Sequence, residues 1–156
     1  MSESHNPVIV RAMNAADRAV WAEMRVALWP GQSLEAHAAE ITAMLDSGDA
    51  WGFIAETADG VPVGFAELAI RKYANGCTTA PVPFLEGIWV KAEFRRAGIG
   101  TRLVEHVGAF AARHGFCEMG SDTEIANRNS RRAHLGWGFS ETETVVYFRK
   151  TLTAQD

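Results

Sequence analysis

Apolar side chains recur three or four residues apart in three stretches of the chain, which is the spacing of one face of an α-helix. The first two stretches follow the helix-capping residues Asn14 and Ser33, and the second ends before Gly48. Capping side chains and terminal glycines are typical of helix ends. A shorter helix is predicted over 127–137, where Gly138 ends it. The periodic positions are Val20, Met24 and Leu28, then Leu34, Ala38, Ile41 and Leu45, and finally Leu103, Val107, Phe110 and Ala111.

Short apolar runs between turn-forming residues predict the strands. The pair Asp59-Gly60 lies between two such runs and predicts a β-hairpin. The elements follow the order β-α-α-β-β-β-α-β-α-β, and the strand–helix–strand units of the C-terminal half require some parallel pairing. We expect a single α/β domain over residues 1–156, with a mixed sheet and helices on both faces. The predicted strands are 7–11, 51–57, 61–73, 83–90, 116–121 and 139–150.

Composition and charge exclude several classes of protein. The formal net charge of −4 is a poor match for a phosphate backbone, so nucleic acid is not an expected partner. No apolar run approaches the roughly 18 residues of a membrane span, so no membrane contact is expected. Residues 1–7 do not resemble a secretory signal, which favours a cytoplasmic protein. The two cysteines, Cys77 and Cys117, lack metal-binding spacing, so we expect free thiols and no metal.

A basic, glycine-containing turn lies between a predicted strand and a predicted helix. Gly98 and Gly100 have no side chain, so the backbone there can approach a phosphate closely. Arg95 and Arg96 add positive charge beside the N–H groups of the helix N-terminus. The turn matches neither the P-loop nor the dinucleotide-binding fingerprint. We interpret it as a pyrophosphate-binding site; the alternative is that its glycines serve helix packing alone.

A second pattern, Asn127-x-x-Ser130-x-x-x-His134-x-x-x-Gly138-Phe139, has the order and spacing of a late signature of the GNAT acetyltransferase superfamily. Together with the glycine-containing turn, it makes essentially the whole chain resemble that superfamily. The resemblance implies the GNAT fold, a mixed and mostly antiparallel sheet with splayed middle strands, and acetyl-CoA as co-substrate. The residues implied to bind acetyl-CoA are Ile88, Trp89, Val90, Arg95, Arg96, Ala97, Gly98, Ile99, Gly100, Thr101, Asn127, Ser130 and His134.

Further segments resemble the bacterial aminoglycoside 6'-N-acetyltransferases within that superfamily. They are 28–31, 73–77, 84–88, 121–123 and 138–143. This resemblance implies that an aminoglycoside antibiotic is the acetyl acceptor. An aminoglycoside carries several ammonium groups, and a ring of carboxylates is its physical complement. The residues implied to contact it are Trp29, Tyr73, Glu86, Asp122 and Glu143.

The implied reaction is attack of a neutral amine on a thioester, which needs a base for the amine proton and an acid for the departing thiolate. Glu86 interrupts an apolar predicted strand, and Asp122 directly follows another strand. Either can be the base, directly or through a water, and we favour Asp122 for the direct role. His134 stands where the superfamily usually has tyrosine, and is either the acid or a passive wall. The structural alternatives are that Glu86 pairs with a basic side chain and that Asp122 caps a turn.

Two other functions are compatible with the same motifs. One is acetylation of another amine, such as a polyamine, an amino sugar or a protein. The other is a non-catalytic acyl-CoA-binding sensor, which would bind acetyl-CoA without releasing CoA. The retained carboxylates Glu86 and Asp122 favour an enzyme. An exposed final strand and the family resemblance together favour a homodimer.

Overall fold

The computed structural model describes residues 7–155, and its centre is a five-stranded sheet. Residues 1–6, which entered the prediction about a secretory signal, lie outside the described residues. The strands lie side by side in chain order; the first four are antiparallel neighbours, whereas the fourth and fifth are parallel. The predicted hairpin at Asp59-Gly60 is confirmed, with a φ of 81° at Gly60. The strands are β1 (Val8–Ala12), β2 (Ala50–Thr57), β3 (Pro62–Arg71), β4 (Val82–Val90) and β5 (Gly120–Ser121).

The predicted capping residues Asn14, Ser33 and Gly48 lie at the ends of helical segments in the structure. The Asn14 side chain accepts a backbone N–H hydrogen bond and begins a short 3₁₀ turn over 15–17, from which the first helix continues. Ser33 Oγ accepts a backbone N–H at 3.1 Å, and Gly48 ends the second helix with a φ of 72°. Within residues 7–155, no helix is long and apolar enough to cross a membrane. The helices are α1 (Arg18–Leu28), α2 (Leu34–Ser47), α3 (Ile99–Arg113) and α4 (Arg128–Gly136).

Each face of the sheet carries its own hydrophobic core, which confirms the prediction of helices on both faces. α1 and α2 cover one face, where Trp21 and Ile41 belong to a cluster with Ile54 and Phe65 of the sheet. α3 covers the other face. Successive residues of a strand point to opposite faces, so β2 directs Phe53 towards α3 and Ile54 towards α1 and α2. The buried positions on the α3 side include Val63, Leu68, Leu85, Ile99, Leu103 and Val107.

β4 and β5 are hydrogen-bonded neighbours over only two residue pairs, Phe84 with Gly120 and Leu85 with Ser121. Beyond Leu85, β4 continues to Val90 while paired only with β3 in the described chain. On its outer edge, the backbone N–H and C=O groups of β4 therefore form no hydrogen bonds with another strand of the described chain. This fork confirms the splayed middle strands that the family resemblance implied.

The predicted final strand over 139–150 is wrong for this chain on its own. Residues 139–155 form no helix and no strand, and nearly all of them are exposed. Phe148 is 94% exposed and Tyr147 is 81% exposed. A β-strand needs a neighbouring strand for its backbone hydrogen bonds, and the apolar pattern does not supply one. The preceding predicted strand likewise shortens to the two residues of β5.

Candidate active site

The turn before α3 has the backbone conformation of a candidate anion site. Arg96 and Gly98 have positive φ angles of 63° and 78°, and such a backbone turns neighbouring N–H groups towards one point. The first hydrogen bond within α3 runs from the Arg102 N–H to the Gly98 carbonyl, so the N–H groups before Arg102 have no acceptor in the helix. A Cβ placed on Gly98 would meet no atom within 4 Å, which leaves space for a phosphate. We call residues 95–101 the phosphate cradle.

Two contacts connect the phosphate cradle to its surroundings. Arg95 Nε donates to the Val90 carbonyl at 2.9 Å, so the cradle follows directly on the splayed end of β4. Gly100 lies against the indole of Trp137 at the end of α4, where a Cβ would come within 3.1 Å of the ring. Glycine at position 100 therefore serves close packing, whereas Gly98 faces open space at the candidate anion site.

α4 and its N-cap carry three predicted cofactor-binding residues, and their polar groups are engaged within the protein. Asn127 caps the helix by accepting the Ser130 N–H at 3.0 Å. The His134 ring is held on both sides, with Nδ1 2.7 Å from the Ser130 carbonyl and Nε2 2.8 Å from Ser121 Oγ. Its centroid lies 5.1 Å from that of Trp137. The imidazole is therefore fixed beside the fork between β4 and β5.

A cavity of about 550 Å³ opens between α1, α2 and the strands β3 and β4. Its walls combine apolar side chains with three carboxylates and one guanidinium. This composition suits a small molecule that carries several amino groups. The lining residues are Arg25, Trp29, Gln32, Glu40, Ala43, Met44, Ala50, Glu67, Ala69 and Glu86.

Trp29, which was predicted to contact the substrate, forms one wall of this cavity. Its indole packs on Gly87 of β4, where a Cβ would come within 2.5 Å of the ring, so the contact requires glycine. The Arg25 guanidinium lies 5.0 Å from the Trp29 ring centroid. The buried His37 donates from Nε2 to the Trp29 carbonyl at 3.0 Å. Both the ring and the main chain of Trp29 are therefore held in place.

Glu67 is a cavity carboxylate that the sequence analysis did not select. Its side chain is 3% exposed and lies 2.9 Å from Arg25 Nε, and Trp21 Nε1 donates to it at 2.8 Å. The Arg25 N–H does not point at the carboxylate, so this contact is an ion pair without a hydrogen bond. Burial raises the pKa of Glu67, and Arg25 and the indole offset only part of that effect. Glu67 interrupts the apolar run of β3 as Glu86 interrupts β4, so the reasoning applied to Glu86 could have found it.

Arg25 is shared with a second carboxylate that was not selected, Glu40, whose Oε2 lies 2.8 Å from Arg25 Nη1. Burial acts to raise the pKa of Glu40, but hydrogen bonds from Arg25 and Gln32 outweigh it and hold this pKa below its ordinary value. The cavity thus has more acidic than basic side chains. Among the described residues, no group of His, Cys, Asp and Glu side chains is arranged to hold a metal ion.

Glu86 was predicted as a base or a substrate-binding residue, and it lines the cavity while being paired with Arg71. Arg71 Nε and Nη2 donate to its two carboxylate oxygens at 2.8 and 2.7 Å. The same guanidinium lies over the Phe84 ring, 3.5 Å from the centroid. The structural alternative considered for Glu86 is therefore present as a bidentate ion pair between neighbouring strands.

Comparison with known proteins identifies the family. Residues 18–139 match the model of the Acetyltransferase (GNAT) family. An aminoglycoside N(6')-acetyltransferase type 1 of Serratia marcescens is 47% identical over 133 residues, which cover 85% of this chain and 91% of that protein. One of Salmonella enteritidis is 42% identical over 142 residues, or 90% and 97% of the two chains. The structure of AAC(6')-Iy with the bisubstrate analog CoA-S-monomethyl-acetylneamine superposes with a TM-score of 0.88 at 40% identity, covering 94% and 99%.

The chain belongs to the acetyltransferase (GNAT) family. The predicted resemblance to that family, and within it to the aminoglycoside 6'-N-acetyltransferases, is confirmed. GNAT acetyltransferases use acetyl-CoA, so the predicted co-substrate and the assignment as an acyltransferase are confirmed as well. Two features of this GNAT chain fit acetyl-CoA: the phosphate cradle fits its pyrophosphate, and the free edge of β4 fits its acyl-bearing arm.

Three further predicted site residues of this GNAT acetyltransferase lie outside the cavity in the described chain. Asp122 is exposed directly after β5, at the fork, and it acts electrostatically on Arg71. Tyr73 is 73% exposed in the loop after β3. Glu143 is exposed within residues 139–155. The structure therefore brings Asp122 to the fork, while substrate contact by Tyr73 and Glu143 stays a prediction.

Proposed function

We propose that this chain transfers the acetyl group of acetyl-CoA to the 6'-amine of an aminoglycoside. The observation that carries the proposal is the acidic cavity, whose carboxylates Glu40, Glu67 and Glu86 lie beside the fork of the sheet. A polycationic antibiotic complements that charge, and the indole of Trp29 offers a flat apolar wall for a sugar ring. Two relatives, at 47% and 42% identity, are aminoglycoside N(6')-acetyltransferases, which supports this acceptor. Action as one domain in the cytoplasm, where acetyl-CoA is made, belongs to the same proposal.

In this proposal the fork is where the reacting groups meet. The acceptor amine must lose a proton before its lone pair can attack the thioester carbonyl, and Asp122 takes that proton directly or through a water. A backbone N–H on the free edge of β4 beyond Leu85 stabilises the developing oxyanion. The C–S bond then breaks, and the sulfur of CoA takes up a proton.

Asp122 is the better base of the two candidate carboxylates. Both oxygens of Glu86 accept hydrogen bonds from Arg71, at 2.8 and 2.7 Å, so its lone pairs are already engaged. Within residues 7–155 no hydrogen bond of this kind occupies Asp122, which lies exposed at the fork. Glu86 is then better suited to set the charge of the cavity than to accept the amine proton.

The deciding experiment follows CoA release with a thiol reagent, using purified protein and acetyl-CoA. The acceptors are a matched pair of aminoglycosides that differ only in having a 6'-amine or a 6'-hydroxyl. We expect release with the amine alone. Release with both would place the transfer on another amine of the antibiotic. Release with neither, alongside acetyl-CoA binding by calorimetry, would contradict the acceptor and redirect the search to polyamines, peptides or a sensing role.

We also propose that the chain is a homodimer in which residues 139–155 of one copy pack against the other copy. The apolar residues Val146, Tyr147 and Phe148 of this segment are 76%, 81% and 94% exposed. β5 is one of the two edge strands of the sheet, and a groove of about 260 Å³ lies between α3 and residues 116–119 beside it. A strand supplied by a second copy would pair with this edge and bury those side chains.

Light scattering tests the dimer on the full chain and on a variant that lacks residues 144–156. We expect twice the mass of one chain for the former and a single chain for the latter. Val146→Asp should also give single chains, whereas the matched change Lys150→Asp, outside the apolar run, should leave the dimer intact. A full-length chain that is monomeric at micromolar concentration would contradict this proposal.

A further inference from the structure

The hydrogen bonds of His134 determine which of its nitrogens carries a hydrogen. The Ser130 carbonyl oxygen can only accept, and it lies 2.7 Å from Nδ1, so Nδ1 is the donor in that pair. In the neutral imidazole, Nε2 then carries the lone pair. Ser121 Oγ, 2.8 Å away, must donate its single hydrogen to that lone pair. Ser121 and His134 therefore form a dyad whose hydrogen bond has a defined direction.

Protonation of the imidazole reverses this bond. With hydrogens on both nitrogens, His134 donates from Nε2 to Ser121 Oγ, and the hydroxyl hydrogen of Ser121 is released to another acceptor. The Leu85 carbonyl, 3.3 Å from Ser121 Oγ, is one such acceptor within the chain. Only when His134 is charged can Ser121 donate its hydroxyl proton to a group other than His134. In that state His134 Nε2 carries a second proton, which it can pass to Ser121 Oγ.

The dyad lies between the fork of the sheet and the phosphate cradle. Ser121 is the last residue of β5 and pairs with Leu85 at the mouth of the fork. Behind it, the His134 ring lies 5.1 Å from that of Trp137, whose indole packs on Gly100 of the phosphate cradle. A continuous line of contacts therefore joins the cradle to the fork. A co-substrate with its pyrophosphate in the cradle and its thioester at the fork would follow this line.

We propose that the Ser121 hydroxyl is the proton donor to the departing sulfur of CoA, and that His134 resupplies it. The inference rests on the proposed acetyl transfer at this fork. When the C–S bond breaks, its electron pair stays on sulfur, which takes the hydroxyl proton of Ser121. The Ser121 oxygen takes the Nε2 proton of His134, which becomes neutral, keeps its bond to the Ser130 carbonyl, and is reprotonated from solvent. Ser121 is then a catalytic residue, and His134 acts through it.

Single and double variants test the dyad. Ser121→Ala should lower kcat about a hundredfold, because proton delivery to the leaving group is lost. The Kd for acetyl-CoA and the KM for the acceptor should stay within about twofold, since binding groups are unchanged. His134→Gln should lower kcat to a similar extent, and the double variant should be no slower than the slower single one, because both act on one proton. Ser121→Thr keeps the hydroxyl and should recover most of the turnover.

A second reaction separates this inference from the proposed acceptor. Slow hydrolysis of acetyl-CoA, in which water replaces the amine, expels the same sulfur, so the variants are compared on that reaction too. Matching losses in hydrolysis, with no acetylation of aminoglycosides, would support the dyad and overturn the acceptor. Three results would overturn the dyad: full activity of Ser121→Ala in both reactions, single losses that multiply in the double variant, or an inactive Ser121→Thr.

Discussion

The phosphate cradle and the acidic cavity both adjoin β4, and they are built in different ways. The cradle consists of the backbone of one short segment, residues 95–101, with positive φ angles at Arg96 and Gly98. The cavity takes its side chains from α1, α2, β3 and β4, and Glu40 and Glu67 lie on different elements. A site made from local backbone geometry is specified by a few adjacent residues, whereas the cavity exists only once distant elements pack.

The two regions also differ in electrostatic cost. Arg95 and Arg96 are exposed, and the N–H groups of the cradle are dipoles that need no buried charge. Glu67, in contrast, is 3% exposed, and burial raises its pKa. Changes in the cradle should therefore act on acetyl-CoA affinity with little cost to the fold. Changes in the cavity should act on acceptor affinity and depend on pH.

The largest effect is expected in the cradle. Gly98→Asp should weaken acetyl-CoA binding by about a hundredfold or more, because a carboxylate would stand in the phosphate site. A Cβ has room at this position and Asp tolerates positive φ, so the fold should survive. Calorimetry measures the affinity, and Gly98→Asn, which has a similar size and no charge, should lose much less. Unchanged affinity in the Asp variant would remove the cradle as the phosphate site.

Asp122→Asn tests the fork between β4 and β5. We expect kcat to fall by at least about a hundredfold, because the amine would lose its base. The free energy of unfolding should change by no more than about 0.5 kcal/mol, since Asp122 is exposed. Steady-state CoA release and urea unfolding measure the two quantities. Glu124→Gln alters another exposed carboxylate, which is not a predicted site residue, and should affect kcat far less; preserved turnover in Asp122→Asn would make Glu86 the next base to test.

Glu67→Gln tests the cavity without disturbing the cradle. The KM for the aminoglycoside should rise about tenfold at neutral pH, with an unchanged Kd for acetyl-CoA. Because the pKa of Glu67 is raised, its charge is lost as the pH falls through that value, so the wild-type KM should rise there and the variant should lack this dependence. Gln keeps an oxygen for the Trp21 indole. A KM unaffected at every pH would show that Glu67 supports Arg25 alone.

Arg71→Gln should give the smallest effect, and in the opposite direction. Removing the guanidinium leaves Glu86 free to attract a cationic acceptor, so the KM should fall. The fall should be only about threefold, because the ion pair is partly exposed and such pairs contribute little energy. The gain should shrink at high salt, which screens exposed charges. Arg131→Gln removes the exposed pair with Glu141 and serves as the control. A higher KM in Arg71→Gln would mean instead that Arg71 positions Glu86 for the substrate.

The predicted helix caps and tight turns, which depend on a few adjacent residues, are borne out by the structure. The caps at Asn14 and Ser33 follow from short polar side chains that satisfy helix N–H groups. The turns at Gly60 and Gly98 follow from positive φ angles that a missing Cβ permits. The strand over 139–150 was predicted from the same kind of pattern and is not formed, because a strand also needs a neighbour.

The sequence by itself determined the order of the elements up to α4, the glycine-containing turn before α3 and the family resemblance, because these rest on local conformational preferences and short motifs. Only the tertiary structure decided that Glu67 shares a cavity with Glu40 and that Arg71 forms an ion pair with Glu86. It also decided that residues 139–155 pair with no strand within the described chain. The physical reason is that a periodic pattern specifies the face an element buries, whereas the neighbour that covers that face depends on how distant elements pack.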